Sequence, residues 1–183
     1  MTEREKMVAG ELYRGDDPEL VESRAQARRL TARLGTTDPG DAAARFAVLA
    51  ELFAAVGEGT VVEAPFHCDY GWNTTLGERV YVNAHCTFLD CAAIELGELT
   101  MLGPAVQLCG ATHPVDPDER ETGLECAGPI RIGRNAWIGS GAIVGPNVTI
   151  GDGSVIGAGS VVLRNVPARV LVAGTPARVI REL

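Results

Sequence analysis

Ile132-Gly133-Arg134-Asn135-Ala136-Trp137, Ile138-Gly139-Ser140-Gly141-Ala142-Ile143, Val144-Gly145-Pro146-Asn147-Val148-Thr149, Ile150-Gly151-Asp152-Gly153-Ser154-Val155 and Ile156-Gly157-Ala158-Gly159-Ser160-Val161, closing on Val162, decide how this chain folds. A branched aliphatic residue returns at every sixth position, and glycine follows it five times running. No α-helix holds one face on a period of six, and each interior glycine would cost a helix about 1 kcal/mol. A chain that turns a corner every six residues satisfies the pattern. Its aliphatic residues point inward, and its glycines sit near corners that need unusual backbone angles or close contacts.

Upstream the rhythm is looser. Leu76, Val82 and Phe88 are six apart, and Leu96, Met101/Leu102 and Leu108 resume it after a two-residue slip near Asp90-Cys91. From Cys109 to Pro129 it stops, in a polar stretch carrying Pro114, Pro117 and Pro129. A structureless loop of that length in a compact domain is uncommon and usually functional. Residues 3–56 read as helices. Asp17-Pro18-Glu19-Leu20 is a helix start with Asp17 as N-cap. A second helix is expected from Asp41 to Val56, docking through Phe46, Leu49, Ala50 and Phe53 and ended by Gly57-Glu58-Gly59. The tail after Val172 reads as a strand, a turn and a short helix opened by Pro176. On that helix Arg178 and Arg181, three apart, would share a face. The expected fold is therefore mainly β: a hexapeptide solenoid over 59–183, preceded by a helical segment over 1–58. An excursion loop leaves it at 109–129, and the tail runs over 163–183.

The chain has 183 residues and a formal charge of −8, which argues against a general nucleic-acid binder. An anionic ligand would need a local basic patch. Arg164, Arg169, Arg178 and Arg181 supply one against Glu182 alone. The five cysteines show no CxxC spacing and read as reduced thiols. Cys68 and Cys86, like His67 and His85, are three hexapeptides apart and would stack on adjacent coils. No metal site is expected. The first residues are charged and lack a long apolar run, so neither a signal peptide nor a membrane span is expected, and the cytoplasm is the default location.

Met7-Val8-Ala9-Gly10-Glu11-Leu12-Tyr13 with Asp17-Pro18-Glu19-Leu20, then Phe66-His67-Cys68-Asp69-Tyr70-Gly71, Val82-Asn83, Ala111-Thr112-His113-Pro114, Trp137-Ile138-Gly139 and Ala173-Gly174-Thr175-Pro176-Ala177-Arg178 together resemble the maltose and galactoside O-acetyltransferases. These form the sugar O-acetyltransferase branch of the hexapeptide acyltransferases. The resemblance covers nearly the whole chain. It implies a left-handed parallel β-helix, acetyl-CoA as cosubstrate, a sugar hydroxyl as acceptor, and a homotrimer with shared active sites.

Acyl transfer to a hydroxyl needs a base, oxyanion donors and a means of holding both substrates. His113 is the candidate base: it sits in the interrupting stretch, Pro114 biases it toward an extended backbone, and a neutral imidazole suits proton abstraction near pH 7. A solvated loop histidine is the plainer reading, and the Thr112-His113-Pro114 context decides for the base. The amide of Asn83 can donate to an oxyanion without changing charge, although Asn is also a common corner residue. By resemblance Asn83 stabilises the transition state, Asp69 and Asp17 contact the acceptor, and Asp90 and Glu125 are weaker acceptor candidates. Asp17 has a plainer role as helix cap. By the same resemblance Ser140 and Ala158 line the pantetheine slot, and Arg164, Arg178 and Arg181 meet the coenzyme phosphates. Leu163-Arg164 stands where the family has Thr-Lys, which loses a hydroxyl and keeps the charge. Cys91 stands where the galactoside branch has a second Asp. Rival expectations are another acceptor (serine, an aminosugar or an antibiotic), a non-catalytic solenoid used as a binding module, and a zinc-dependent trimer using His67, His85 and His113.

Overall fold

The computed structural model describes residues 1–183. Three helices open the chain. They are α1 (Glu3–Ala9), α2 (Pro18–Thr36) and α3 (Ala42–Leu52), with a short strand β1 (Tyr13–Arg14) between the first two. Thr2 and Glu5 form a reciprocal capping box on α1, and the Asp17 carboxylate accepts the Glu19 N–H at the start of α2. The buried stripe of α2 is Leu20, Ala27, Leu30 and Leu34. Arg24, one turn on from Leu20, is only half-buried and turns to polar partners. The second expected helix ends at Leu52, short of Val56, because Ala55 and Val56 already pair with Thr75 and Leu76. Its buried face is Val48, Leu49 and Leu52, with Phe53 just beyond; Phe46 and Ala50 face outward.

The solenoid is three parallel sheets wound from short strands, about 6 turns in all. The first sheet contains β3 (Val61–Val62), β6 (Tyr81–Val82), β9 (Met101–Leu102), β14 (Trp137–Ile138), β17 (Val155–Ile156) and β19 (Val170–Gly174). The second contains β4 (His67–Cys68), β7 (Thr87–Leu89), β10 (Gln107–Cys109), β15 (Ile143–Val144) and β18 (Val161–Val162). The third contains β2 (Ala55–Val56), β5 (Thr74–Leu76), β8 (Ile94–Leu96), β13 (Ile130–Ile132) and β16 (Val148–Ile150). Ladders of like residues fill the interior: Leu108 lies between Phe88 and Val144, and Ile132 between Leu96 and Ile150. One buried cluster of 32 residues runs the length of the prism. The period-six aliphatics are its inner rungs, so removing one side chain, as in Leu108→Ala, would cost about 2–5 kcal/mol.

The glycine column explains itself in three dimensions. Gly77 and Gly97 stand at one corner, and a Cβ on either would come 2.6 Å from the backbone nitrogen of the next coil, at Glu98 and Arg134. Close approach of backbone to backbone, with no left-handed φ at these two sites, is what demands glycine there.

Coil length differs from the simple expectation. Val62 stacks on Val82 and Val82 on Leu102, so each of these coils is longer than three hexapeptides by two residues. Leu102 to Ile138 spans the length of two plain coils, because the excursion lies within it. Ile138 to Ile156 is the plain three hexapeptides, and the last coil, to Val172, is shorter. The slip at Asp90-Cys91 lengthens its coil, and Asp69–Asn73 lengthens the coil below at the same corner. The stacking expected for Cys68 over Cys86 and His67 over His85 is therefore absent. Thr87 stands beside His67 and Phe88 beside Cys68. That removes the geometric premise of the zinc reading. No group of three or more His, Cys, Asp or Glu side chains is disposed to hold a metal.

The third insertion at that corner is the stretch from Cys109 to Pro129, and it is ordered. Strand β11 (Ala111–Thr112), a short helix α4 (Pro117–Glu121) and β12 (Leu124–Ala127) make a hairpin, and β1 adds to its free edge. The expected short helix at the C-terminus is instead a strand, β20 (Ala177–Glu182), folded back antiparallel on β19. Val179 and Ile180 are exposed and β-branched, and ladder pairing with β19 satisfies a backbone that so short a helix could not. A register shift at Leu171/Val172 sets Arg178 opposite Ala173 and Arg181 opposite Leu171. The two arginines consequently do share a face, through a bulge in a strand and not through a helical turn.

Candidate active site

The corner that collects all three insertions is where the polar chemistry gathers. Asp90 is its buried post. Fully buried, its carboxylate accepts the Tyr70 N–H at 2.8 Å, the Gly71 N–H at 2.7 Å and the Thr74 hydroxyl at 3.0 Å. Asn73 donates to the Asp90 carbonyl at 2.9 Å. Burial pushes the Asp90 carboxyl up to about 6 against the pull of these donors. A sugar cannot reach a side chain with no exposed surface and its lone pairs already taken. The structure moves Asp90 from acceptor contact to framing the loop that carries Asp69.

Asp69 itself is half-buried and faces the N-terminal segment. Burial raises its carboxyl above the usual range, the Cys91 thiol and Arg24 oppose that, and the charge of Glu125 adds to it. Cys91 donates to Asp69 Oδ2 at 3.5 Å. Glu125, on β12, accepts the Tyr13 hydroxyl at 3.0 Å. Gly15 leaves room for that carboxylate, since a Cβ there would sit 2.7 Å from Glu125 Cδ. Arg24 ties the segment down, donating to the Tyr70 hydroxyl and the Gly15 carbonyl, each at 2.6 Å. Trp72 donates to Ser23 at 2.7 Å and lies under the Arg4 guanidinium at 4.0 Å. Asp69 and Glu125 are thus near enough for the charge of one to act on the other, beside the N-terminal segment that Arg24 ties down. Asp17 stands nearby in the chain as the α2 cap, with one carboxylate oxygen bonded to Glu19.

Tyr13, Gly15, Arg24 and the Cys91 contact are not legible in the sequence as parts of this site. Periodicity is silent about them. The signals are that Tyr13 closes the Met7–Tyr13 motif and that Cys91 stands where the galactoside branch has a second Asp.

His113 follows β11, whose Thr112 pairs with Cys126. Behind it Pro114 is buried, and Arg120 donates to the carbonyls of Pro114 and Val115 at 3.2 and 3.1 Å. The imidazole is exposed, without a partner in its own chain, on a braced support. Asn83 lies beyond β6, where its Oδ1 accepts the Ala84 N–H at 2.8 Å. That bond fixes the amide and leaves both Nδ2 hydrogens available. Asn83 and His113 lie at opposite ends of the β4–β7–β10–β15–β18 strands: Asn83 precedes β7, and His113 follows β10. About five residues at 3.3 Å each, roughly 16 Å, separate the two corners.

On the coenzyme side, Ser140 and Ala158 are exposed at the corner that bears Asn83, and the Gly159 N–H donates to the Ser140 carbonyl at 2.9 Å. Leu163, Arg164 and Arg178 line a cavity of about 260 Å³ at the open end of the solenoid, with Pro176 and Val179. Arg178 and Arg181 donate only to the carbonyls of Ala177 and Glu182, so their charges are uncompensated. Small side chains with free backbone at one corner, and arginines at the open end, suit a long ligand ending in phosphates.

A parallel β-helix with a helical cap, a hairpin thrown out from one corner and a basic open end defines the hexapeptide-repeat acetyltransferases. Residues 129–164 match the bacterial transferase hexapeptide repeat, and residues 6–57 match the maltose acetyltransferase hexapeptide capping motif. Nodulation protein L of Rhizobium leguminosarum bv. viciae is 50% identical over 97% of this chain and 94% of its own. A maltose O-acetyltransferase from Clostridium difficile 630 superposes with a TM-score of 0.98 at 43% identity, over 100% of this chain and 98% of that one. A galactoside acetyltransferase solved with coenzyme A gives 0.93 at 38% identity, over 100% and 91%. The chain belongs to the maltose and galactoside acetyltransferase family and folds as its left-handed parallel β-helix.

Proposed function

We propose that this acetyltransferase moves an acetyl group from acetyl-CoA to a hydroxyl of a sugar, with His113 as general base and no acyl-enzyme. The imidazole takes the hydroxyl proton as the oxygen attacks the thioester carbonyl. The C–S bond then breaks, and the proton passes to the departing thiolate. Asn83 Nδ2 meets the oxyanion. Asp69, Glu125 and Asp17 accept hydroxyl hydrogen bonds from the acceptor. Ser140, Ala158 and Leu163 flank the pantetheine arm, and Arg164, Arg178 and Arg181 bind its phosphates.

The observation that carries the sugar reading is the approach of Asp69 to Glu125, on the hairpin that bears His113, near enough for their charges to interact. Carboxylates accept several hydroxyl protons at once, which is what a polyol offers. The gap of roughly 16 Å between the corners of Asn83 and His113 supports a homotrimer in which one subunit's His113 works with the partner's Asn83. An apolar stripe supports it too. Val61, Met101 and Trp137 stand 39, 45 and 53% exposed on the outer face of the first sheet.

Thiol release from acetyl-CoA tests the reading on maltose, glucose, galactosides, serine and chloramphenicol, with His113→Ala beside the parent. Sugar-dependent release that falls at least about a hundredfold in the variant is expected. Undiminished release in His113→Ala would remove the base, and release on serine or chloramphenicol alone would remove the sugar.

A further inference from the structure

The chain places a wholly buried phenol against Glu125, one of the two carboxylates assigned to the acceptor. Tyr13 has no exposed surface, yet its hydroxyl is not spent on the backbone. It donates its one proton to Glu125 Oε2 at 3.0 Å. Cys91 donates to Asp69 Oδ2 at 3.5 Å. The groups form two separate donor–carboxylate pairs, Tyr13–Glu125 and Cys91–Asp69. Four segments supply them. Asp69 and Cys91 come from successive coils, Glu125 from β12, and Tyr13 from β1, which is itself held by pairing with β12. The β1 pairing fixes the backbone, so the hydroxyl is free to fix side chains. Gly15, two residues on, keeps the other side of Glu125 clear.

We propose that Tyr13 is a positioning residue for the acceptor: its buried hydroxyl holds the Glu125 carboxylate in the orientation that meets a sugar hydroxyl. The reading rests on Asp69 and Glu125 binding the acceptor. The charge of Glu125 raises the Asp69 carboxyl, so the two carboxylates repel one another. A donor on Glu125 offsets that repulsion, where a phenylalanine would fill the space and leave the carboxylate free to swing. Cys91 gives Asp69 a neutral donor of its own and adds no third charge.

Tyr13→Phe is the test, because it keeps the ring packed and removes only the hydroxyl. The expected result is a rise of about tenfold in KM for the sugar, with kcat and KM for acetyl-CoA within about twofold of the parent. Cys91→Ala, which removes the separate donor to Asp69, should leave Glu125 where it stands and so serves as the control. A purely structural role would instead lower kcat and thermal stability together and move both KM values, and that pattern overturns the proposal. A crystal structure of Tyr13→Phe needs no acceptor: Glu125 is expected to leave the position it now holds. Glu125 unmoved in the variant would overturn the positioning role whether or not any acceptor turns over. A parent inactive on every sugar, with Glu125 displaced in the variant, would count against the sugar reading alone.

Discussion

Replacing Asp90 with Asn should make the stability of this protein lose a pH dependence that the parent has. The parent carboxyl titrates near 3.8 when unfolded and at about 6 when folded, because burial outweighs its three donors. The folded state therefore keeps a proton that the unfolded chain gives up between those values. The stabilisation from this group is fully present below about pH 4 and is lost as the pH rises through 6. At 1.36 kcal/mol per decade, the span is worth about 3 kcal/mol. The asparagine amide cannot titrate. It can still accept the Tyr70 N–H, but its NH2 then faces the Gly71 N–H, a mismatch of about 1–3 kcal/mol at every pH. Removing a buried charge offsets part of that cost above pH 7. Urea unfolding of parent and Asp90→Asn from pH 4 to 7.5, at one fixed protein concentration, measures the difference. Over this window, which stops just above the unfolded value, the parent's advantage should widen by about 2.4 kcal/mol as the pH falls. A difference that stays constant across this range, or one that narrows toward pH 4, would refute the burial argument.

Two further outcomes follow from the same geometry. Asn83→Ala, which removes the fixed Nδ2 donor, should lower kcat by about 10²–10³ with little change in KM for acetyl-CoA, read by thiol release; a loss of less than about threefold would take Asn83 out of the oxyanion site. Gly97→Ala forces a Cβ to 2.6 Å from the Arg134 nitrogen, so the coils must part, and about 1–3 kcal/mol should be lost in urea unfolding; an unchanged midpoint would show that close packing is not why glycine stands there.

What was legible in the sequence followed from what repeats. The Ile132–Val162 stretch forces a corner every six residues, and every rung from Ile132 to Val162 is found stacked inside. The slip at Asp90-Cys91 was visible because it breaks that repeat. The Asp17 cap was visible because capping is a local contact between neighbours. The motifs that resemble the sugar acetyltransferases marked the family through short runs of adjacent residues.

Other features depend on partners far away in sequence, and only the folded chain decided them. The tail has no period to say whether it is helix or strand; β20 exists because β19 offers an unpaired edge. The lengthened early coils come from two insertions stacked at one corner, and the ladder of hydrogen bonds counts them where the eye counts sixes. Asp90 looked like Asp69 as a carboxylate in a polar loop, and burial alone separates them. Tyr13 and Glu125 are 112 residues apart and meet at 3.0 Å because β1 closes the edge of the hairpin. A sequence determines which residues can sit inward along one strand, since that is a property of neighbours. It does not show which side chains from distant strands share a pocket, because their meeting depends on the summed register of every coil between them.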